Sequence, residues 1–452
     1  MKGKFLFGLC FFGVLLAFGA QAAFAASYSV SNFAELEAAA EAIGMAEKAE
    51  NPEEFLLVIQ DDIECFYELT IRNSVQIVGG GHRLLSRSAQ EGLLHVEGRL
   101  LAEGLLFEGA RGGALRVDGF GRGDQLSAEL IDCGFTGNQK GGAGGAFIVT
   151  AGGTRLEGCR FEGNESGSLG GAAALSGAAE LQNCDFIGNR AIEAGGALVC
   201  GDLTLRDCSF EGNSAEQGGA IAVSGGAIMQ NALFRGNTAV SGGGAGLLYG
   251  PASLEHCEFA ANGALGETGR GGALALLGGG TLKGCSFLGN RAQDGAALWL
   301  AARLGDAEYA LYDGLFEQNA AEASGAIVAL QAGGEGEASL RVEGENRFFE
   351  NLGAAVLAPA NRPVEGGGRL IEEGRDAAPQ AGEIAENGAG WYLVETSGGS
   401  LNLRAKPSGE SALCGRLARG GAAHVLGFEG NWAKIQKGDR VVYAYGAYLK
   451  AL

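Results

Sequence analysis

The sequence predicts an all-β chain built mainly as a parallel β-helix, a solenoid with three short strands per coil, followed by a linker and a separate C-terminal module. Three observations predict it. First, Phe-x-x-Asn recurs at Phe135–Asn138, Phe161–Asn164, Phe186–Asn189, Phe210–Asn213, Phe234–Asn237, Phe259–Asn262, Phe287–Asn290 and Phe316–Asn319, with degenerate copies at Phe107 and at Phe348–Asn351. The interval averages about 26 residues, and a fixed period of that size marks stacked solenoid units. Second, Leu130, Leu156, Leu181, Leu205, Met229, Leu254, Leu282 and Leu311 stand five residues before these phenylalanines, and Cys133, Cys159, Cys184, Cys208, Ala232, Cys257, Cys285 and Gly314 stand two before. A spacing of three conflicts with the period-two alternation of a strand, so one residue between the two columns breaks the strand. Third, the breaking position holds Asp132, Gly158, Asn183, Asp207, Asn231, His256, Gly284 or Asp313, residue types that tolerate positive φ. A one-residue left-handed bend, repeated in register, makes one corner of a β-helix.

Composition narrows the function classes. Glycine supplies 82 of 452 residues and proline six, and the absence of a G-X-Y period excludes collagen. Hydrophobic residues make up 46% and charged residues 19%, enough apolar surface for a large core. The net charge of −20 argues against a nucleic-acid binder or a binder of anionic membranes, because nothing would displace counterions from phosphates.

Along the chain, Lys2 and Lys4 precede an apolar run from Phe5 to Phe18, and Ala23-Phe24-Ala25 follows. Residues 1–25 read as a secretory signal, too short for a comfortable span, so the mature chain is expected to carry no transmembrane segment. Cys10 leaves with the signal, and nine of the ten cysteines remain. An odd number in an exported protein leaves at least one thiol unpaired or paired between chains. Residues 26–52 form an N-terminal cap segment, in which Phe33 to Glu50 reads as an amphipathic helix covering the open end of the solenoid. The β-helix spans 53–358. Its third strand follows each Gly-Gly-Ala, with Phe147 and Val149, Ala173 and Leu175, Leu198 and Cys200, Ile221 and Val223, Leu274 and Leu276, then Ile327 and Ala329 facing in. Gly295-Ala296 and Gly325-Ala326 read as copies lacking the first glycine. The opposite face reads as an apolar stripe from Ala146 and Ile148 through Ala222 and Leu247 to Leu298 and Val328, to be covered by the chain itself or by a partner.

Two interior columns follow from the stacking of coils at about 4.8 Å. Cys133, Cys159, Cys184, Cys208, Cys257 and Cys285 form a ladder whose side chains point the same way, which suits small buried hydrophobes better than disulfides or a metal site. Asn138, Asn164, Asn189, Asn213, Asn237, Asn262, Asn290 and Asn319 form a structural amide stack, each able to donate to the next coil and to satisfy corner carbonyls. A leucine-rich repeat is the structural rival, since Leu205-x-x-Cys208-x-Phe210-x-x-Asn213 fits its pattern. Its convex side needs a helix or a leucine-anchored segment, whereas here that stretch carries Gly-Gly and further apolar strands.

The paired GGA-[ILV] and F-x-x-N motifs resemble the repeats of polymorphic outer membrane proteins over about residues 107–358. The resemblance implies a right-handed β-helix of the pectate-lyase-like superfamily, about eleven coils long, acting as an adhesin. Leu69-Thr70-Ile71 and Val75-Gln76-Ile77-Val78-Gly79 look like the opening coils of that superfamily. The chain lacks the series of alternating strands that would build the membrane barrel of autotransporting members. Residues 359–389, with Pro359, Pro363, Pro379 and Gly366-Gly367-Gly368, read as a linker. In 390–452, Leu401-Asn402-Leu403-Arg404-Ala405-Lys406-Pro407, Gly415-Arg416-Leu417, Trp432-Ala433-Lys434-Ile435 and Tyr443-Ala444-Tyr445-Gly446-Ala447-Tyr448-Leu449 resemble a bacterial Src-homology-3 domain. Val442 stands where that family usually has glycine. The resemblance implies a small non-catalytic β-barrel that binds cell-wall or envelope peptide or glycan. Trp432, Tyr443 and Tyr445 are its ligand-binding candidates, and packing in the barrel core is the alternative role for the same rings.

An enzyme acting on acidic polysaccharide would need clustered carboxylates with calcium and a basic residue, or paired carboxylates flanking one bond. Asp185 and Asp207 are the carboxylates expected to approach across adjacent coils, but the sequence reveals no lysine, arginine or histidine beside such carboxylates in a repeated groove. The expectation is an exported, non-enzymatic, adhesin-like scaffold without a cofactor. It is tethered through its C-terminal module, and its β-helix is open to a protein or glycan ligand. The alternative is a polysaccharide-active or polysaccharide-binding β-helix.

Overall fold

The computed structural model describes residues 26–46, 55–88, 90–119, 126–303, 305–321, 326–331, 336–352, 354–357, 364–365, 369–373, 390–394, 401–409, 411, 413–417, 422–437 and 440–451. The signal assigned to residues 1–25 and most of the 359–389 linker lie outside the described residues. Within them the chain is an all-β right-handed parallel solenoid of about eleven coils, followed by a small antiparallel sheet, with one helix near the N-terminus.

Three parallel sheets run the length of the solenoid, with 14, 13 and 12 strands among the described residues. In the leucine sheet, Leu130, Leu156, Leu181, Leu205, Met229, Leu254, Leu282 and Leu311 are successive register partners. In the phenylalanine sheet, the rings from Phe107 to Phe348 stack with centroids 4.5–5.1 Å apart and planes within 9° of parallel. Burying each ring between two others removes apolar surface from water on both of its faces, at about 25 cal/mol per Å2. The third sheet follows the glycines. A fourth, short sheet of eight strands, many only two residues long, from Gln139–Lys140 to Ala320–Ala321, adds to the three expected strands of those coils.

The corners explain the glycine content. All eight residues of the predicted bend column have positive φ, between 49° at Asp132 and 62° at Gly158. A second corner lies just before each ladder asparagine, at Gly137, Gly163, Gly188, Gly212, Gly236, Ala261, Gly289 and Gln318, with φ between 55° and 65°. The Gly-Gly pair divides two tasks. The first residue supplies positive φ, and a Cβ on the second would lie 2.0–2.1 Å from a carbonyl of the next coil, at Gly145, Gly171, Gly196, Gly219, Gly244 and Gly272. Gly295 has φ 61°, so the copy at 295–296 keeps the first glycine and loses the second, the reverse of the sequence expectation.

Register corrects two further expectations. Leu298 and Val328 pair with each other and are fully buried in the core, while Trp299 and Ala329 pair on the opposite face. Ala329 therefore belongs to the outer column, and Val328 and Leu330 point inward. Ala146 is also a fully buried core residue rather than part of the outer stripe, and Ala172, Ala197 and Ala220, the same position in the following coils, are buried with it. Strands Val364–Glu365 and Arg369–Glu373 pair with the leucine and phenylalanine sheets, so coil pairing continues past residue 358 into the segment read as linker. At the other end, helix Phe33–Met45 starts on an Asn32 cap whose side chain accepts from the Glu35 N–H. It buries Leu36, Ala39, Ala40 and Ile43 against the first coil, and Asn73 Nδ2 donates to its Ile43 carbonyl.

Candidate functional site

The interior columns are saturated and leave nothing to offer a ligand. Each central ladder asparagine donates through Nδ2 to the preceding coil's phenylalanine carbonyl and to the next asparagine's Oδ1; Asn213, for example, reaches Phe186 O and Asn237 Oδ1, both at 3.0 Å. The ladder from Asn138 to Asn319 is buried throughout, and Asn351 extends it by one residue. The six ladder cysteines are buried free thiols. Each Sγ donates to the carbonyl two residues earlier, as Cys184 does to Gln182 at 3.2 Å and Cys208 to Arg206 at 3.2 Å. Contact with Cys184 and then burial push the Cys208 thiol up, and burial alone holds Cys65 up at about 12. Among the described residues no group of three or more His, Cys, Asp or Glu side chains is placed to hold a metal ion.

The outer faces carry the variable residues. On the third sheet the outer column runs His95, Arg116, Ile148, Ala174, Val199, Ala222, Leu247, Ala275, Trp299 and Ala329. Part of its apolar stretch is covered by the chain itself. The Arg270 guanidinium lies 5.2 Å from the Trp299 ring centroid, and that of Arg303 lies 4.6 Å from Tyr249, each a cation–π contact that also shields apolar surface. Basic residues do stand beside carboxylates, contrary to the sequence expectation. Arg155 bridges Glu129 and Glu180 at 3.4 and 3.1 Å, Arg160 lies 3.7 Å from Asp185, and His95 and Arg116 converge on Asp118. Asp185 itself accepts from Ser209 Oγ at 2.5 Å.

The C-terminal sheet gathers the aromatic candidates. Its antiparallel strands include Trp432–Lys437 and Arg440–Tyr445, which pair Trp432 with Tyr445 and Lys434 with Tyr443. Alternation then sorts the side chains. Ala433, Ile435, Val442 and Ala444 enter a core with Leu401, Leu403, Leu417 and Val425, whereas Tyr445 is 38% exposed and Trp432 and Tyr443 are half-buried. All three sequence candidates therefore lie on the outer face. Trp432 meets Tyr445 edge-on with centroids 5.6 Å apart, and Tyr445 meets Tyr448 at 6.0 Å. Tyr443 Oη donates to Glu429 Oε1 at 3.3 Å. Sequence reading missed Tyr448, 43% exposed, although its spacing of three from Tyr445 across a 3-10 turn was the available signal. Val442, in place of glycine, fills a core position.

Comparison with known proteins follows these two parts. Residues 101–262 match the family model of a right-handed beta helix region, and residues 399–450 match that of a bacterial SH3 domain. No curated protein matches the chain. Beta-helix regions occur in enzymes and non-enzymes alike. The pair of matches suggests a surface or cell-wall-binding protein.

Proposed function

We propose that this chain is an exported, non-enzymatic binding scaffold whose C-terminal module holds it to the cell wall while its solenoid presents an adhesin-like surface. The observation that carries this reading is the row of rings on the module's outer face, where Tyr445 and Tyr448 are exposed and Trp432 is half-buried. Trp432 contacts Tyr445, and Tyr445 contacts Tyr448, although the core of the module, Tyr392 apart, is filled by aliphatic side chains. Aromatic rings left at a surface with a polar edge suit the apolar faces and hydroxyls of sugars, or peptide groups. The match to a bacterial SH3 domain supports the same reading, because such domains often bind cell-wall peptidoglycan.

The test is co-sedimentation of the mature protein with purified peptidoglycan. Trp432→Ala and Tyr445→Ala should each weaken retention by about tenfold, as expected for aromatic hot-spot residues. Their melting temperatures should stay close to wild type, since neither ring lies in the core. Undiminished retention in both variants contradicts the proposal.

A further inference from the structure

We infer that the N-terminal end of the solenoid carries a binding site for an alkylammonium group, formed by the rings of Phe33, Phe66 and Tyr67 with the Glu37 carboxylate at its rim. The wall contact proposed above does not use it. Phe33 opens the cap helix, and Phe66 and Tyr67 fill the short turn between strands Ile63–Cys65 and Leu69–Ile71 of the first coil. Packing of the helix on that coil brings the three together. The Phe33 ring stands perpendicular to both others, at 87° to Phe66 and 88° to Tyr67, with centroids 5.5 and 4.9 Å away. Phe33 is partly buried against the core, which accounts for its own place. Phe66 and Tyr67 are 58% and 40% exposed. An edge-to-face contact covers at most one face of either ring, so both keep π surface in contact with solvent.

Charge decides which ligand suits these faces. Tyr67 Oη donates to Glu37 Oε1, which sets the carboxylate beside the rings, and Glu37 makes no ion pair among the described residues. The same helix carries Glu35 and Glu41 and no basic residue from Phe33 to Met45. Two other rings of the solenoid, Trp299 and Tyr249, each have an arginine of the chain over them, 5.2 and 4.6 Å from the ring centroid. Over Phe33, Phe66 and Tyr67 no lysine or arginine of the described residues takes that place. Open aromatic faces beside an uncompensated carboxylate attract a cation, through the negative quadrupole of the rings and the full charge of Glu37. Its chemistry follows from hydration. A bare ammonium or sodium ion gives up strongly held water to reach the rings, whereas a methylated ammonium is weakly hydrated and lays apolar methyl groups on the ring faces. A neutral ligand of the same shape would gain the apolar contact and nothing from Glu37, and an anion would be repelled by it. The net charge of −20 draws such a cation towards the chain from a distance.

The experiment uses the chain's nine tyrosines as reporters. Tyrosine-selective 13C labelling of the mature protein gives a sparse spectrum in which Tyr67→Phe identifies the Tyr67 signal. Choline chloride and trimethyllysine, two carriers of the group, are titrated separately at fixed pH and ionic strength, against ammonium chloride and against dimethylbutanol, the neutral carbon isostere of choline. The site predicts a saturable Tyr67 shift with at least one carrier, at a midpoint about tenfold or more below those of ammonium and dimethylbutanol, and the carrier with the lower midpoint identifies the source of the group. Phe66→Leu keeps apolar bulk and removes a π face, and Glu37→Gln keeps an acceptor for Tyr67 Oη and removes the charge. Each should raise the midpoint about fivefold. Both residues are exposed, so both variants should melt at the wild-type temperature. A dimethylbutanol midpoint equal to that of choline would reduce the site to an apolar patch, and an equal ammonium midpoint would reduce it to charge alone. Either result, a shift shared by Tyr443, Tyr445 and Tyr448 of the module, or an unchanged midpoint in Phe66→Leu would overturn the assignment.

Discussion

Replacing Asn213 with alanine tests how the solenoid is held together. The Asn213 side chain makes four hydrogen bonds. Nδ2 donates to Phe186 O and to Asn237 Oδ1, and Oδ1 accepts from the Asn189 backbone N–H at 2.9 Å and from Asn189 Nδ2 at 3.0 Å. After truncation the Asn189 amide keeps Phe161 O, and Asn237 Oδ1 keeps the Asn213 N–H. One group loses its only partner in this network, the Asn189 N–H, and the Phe186 carbonyl, which stays in the strand ladder, loses its second donor, in a position where Asn213 is 0% exposed. At about 1–3 kcal/mol for the orphaned N–H and about 1 kcal/mol for the lost second bond to the carbonyl, with a further contribution from the vacated volume, the loss should be about 2–5 kcal/mol. Guanidinium unfolding followed by far-ultraviolet circular dichroism gives the total. Hydrogen exchange should place the first loss of protection in peptides covering residues 186–213. A destabilisation below about 1 kcal/mol would refute the argument, because it would mean that water or a relaxed backbone replaces the ladder at no cost.

The bend column makes a paired prediction: Asn183→Val should cost about 1–3 kcal/mol by forcing a β-branched residue to φ 52°, while Asn183→Gly should be nearly neutral, and equal stabilities would argue against the corner. Thiol labelling of the native protein should be slow at Cys159 and Cys184 and fast in denaturant, since both are buried free thiols; rapid native labelling contradicts this. Asp118 predicts a pH dependence. Its native pKa of about 2 lies below the ordinary carboxylate value of about 4, so its contribution is complete above pH 4 and is lost as the pH falls towards 2. Allowing for its partial exposure, this amounts to about 1 kcal/mol, and the stability gap between wild type and Asp118→Asn should close across that window. A gap independent of pH would count against it.

What the sequence makes legible is what repeats. The Asp132-to-Asp313 column could be assigned to a left-handed corner because Asp, Asn, His and Gly share one property and their neighbours break period two. The second corner escaped notice because Ala261 and Gln318 interrupt its glycines, although they adopt the same positive φ. The fourth sheet escaped because two-residue strands such as Gln139–Lys140 are too short to show periodicity. Register at Leu298 and Val328 was misjudged because every residue from Ala326 to Leu330 is apolar and buried, so alternation carries no signal. In the C-terminal module, alternation separates Tyr443 and Tyr445 from Val442 and Ala444, yet only the pairing with Trp432–Lys437 reveals which set faces out.

The central claim is a division of labour, in which the solenoid is a self-sufficient scaffold and the C-terminal module makes the wall contact. The two hydrophobic cores share no residue, so ending the mature chain at residue 389 should leave the coil core whole. The decisive measurement is retention of this shortened protein on purified cell wall, alongside its thermal melt by circular dichroism. The account predicts a coil transition at the wild-type temperature together with loss of retention; retention equal to that of the full mature chain would place the wall contact on the solenoid and contradict it.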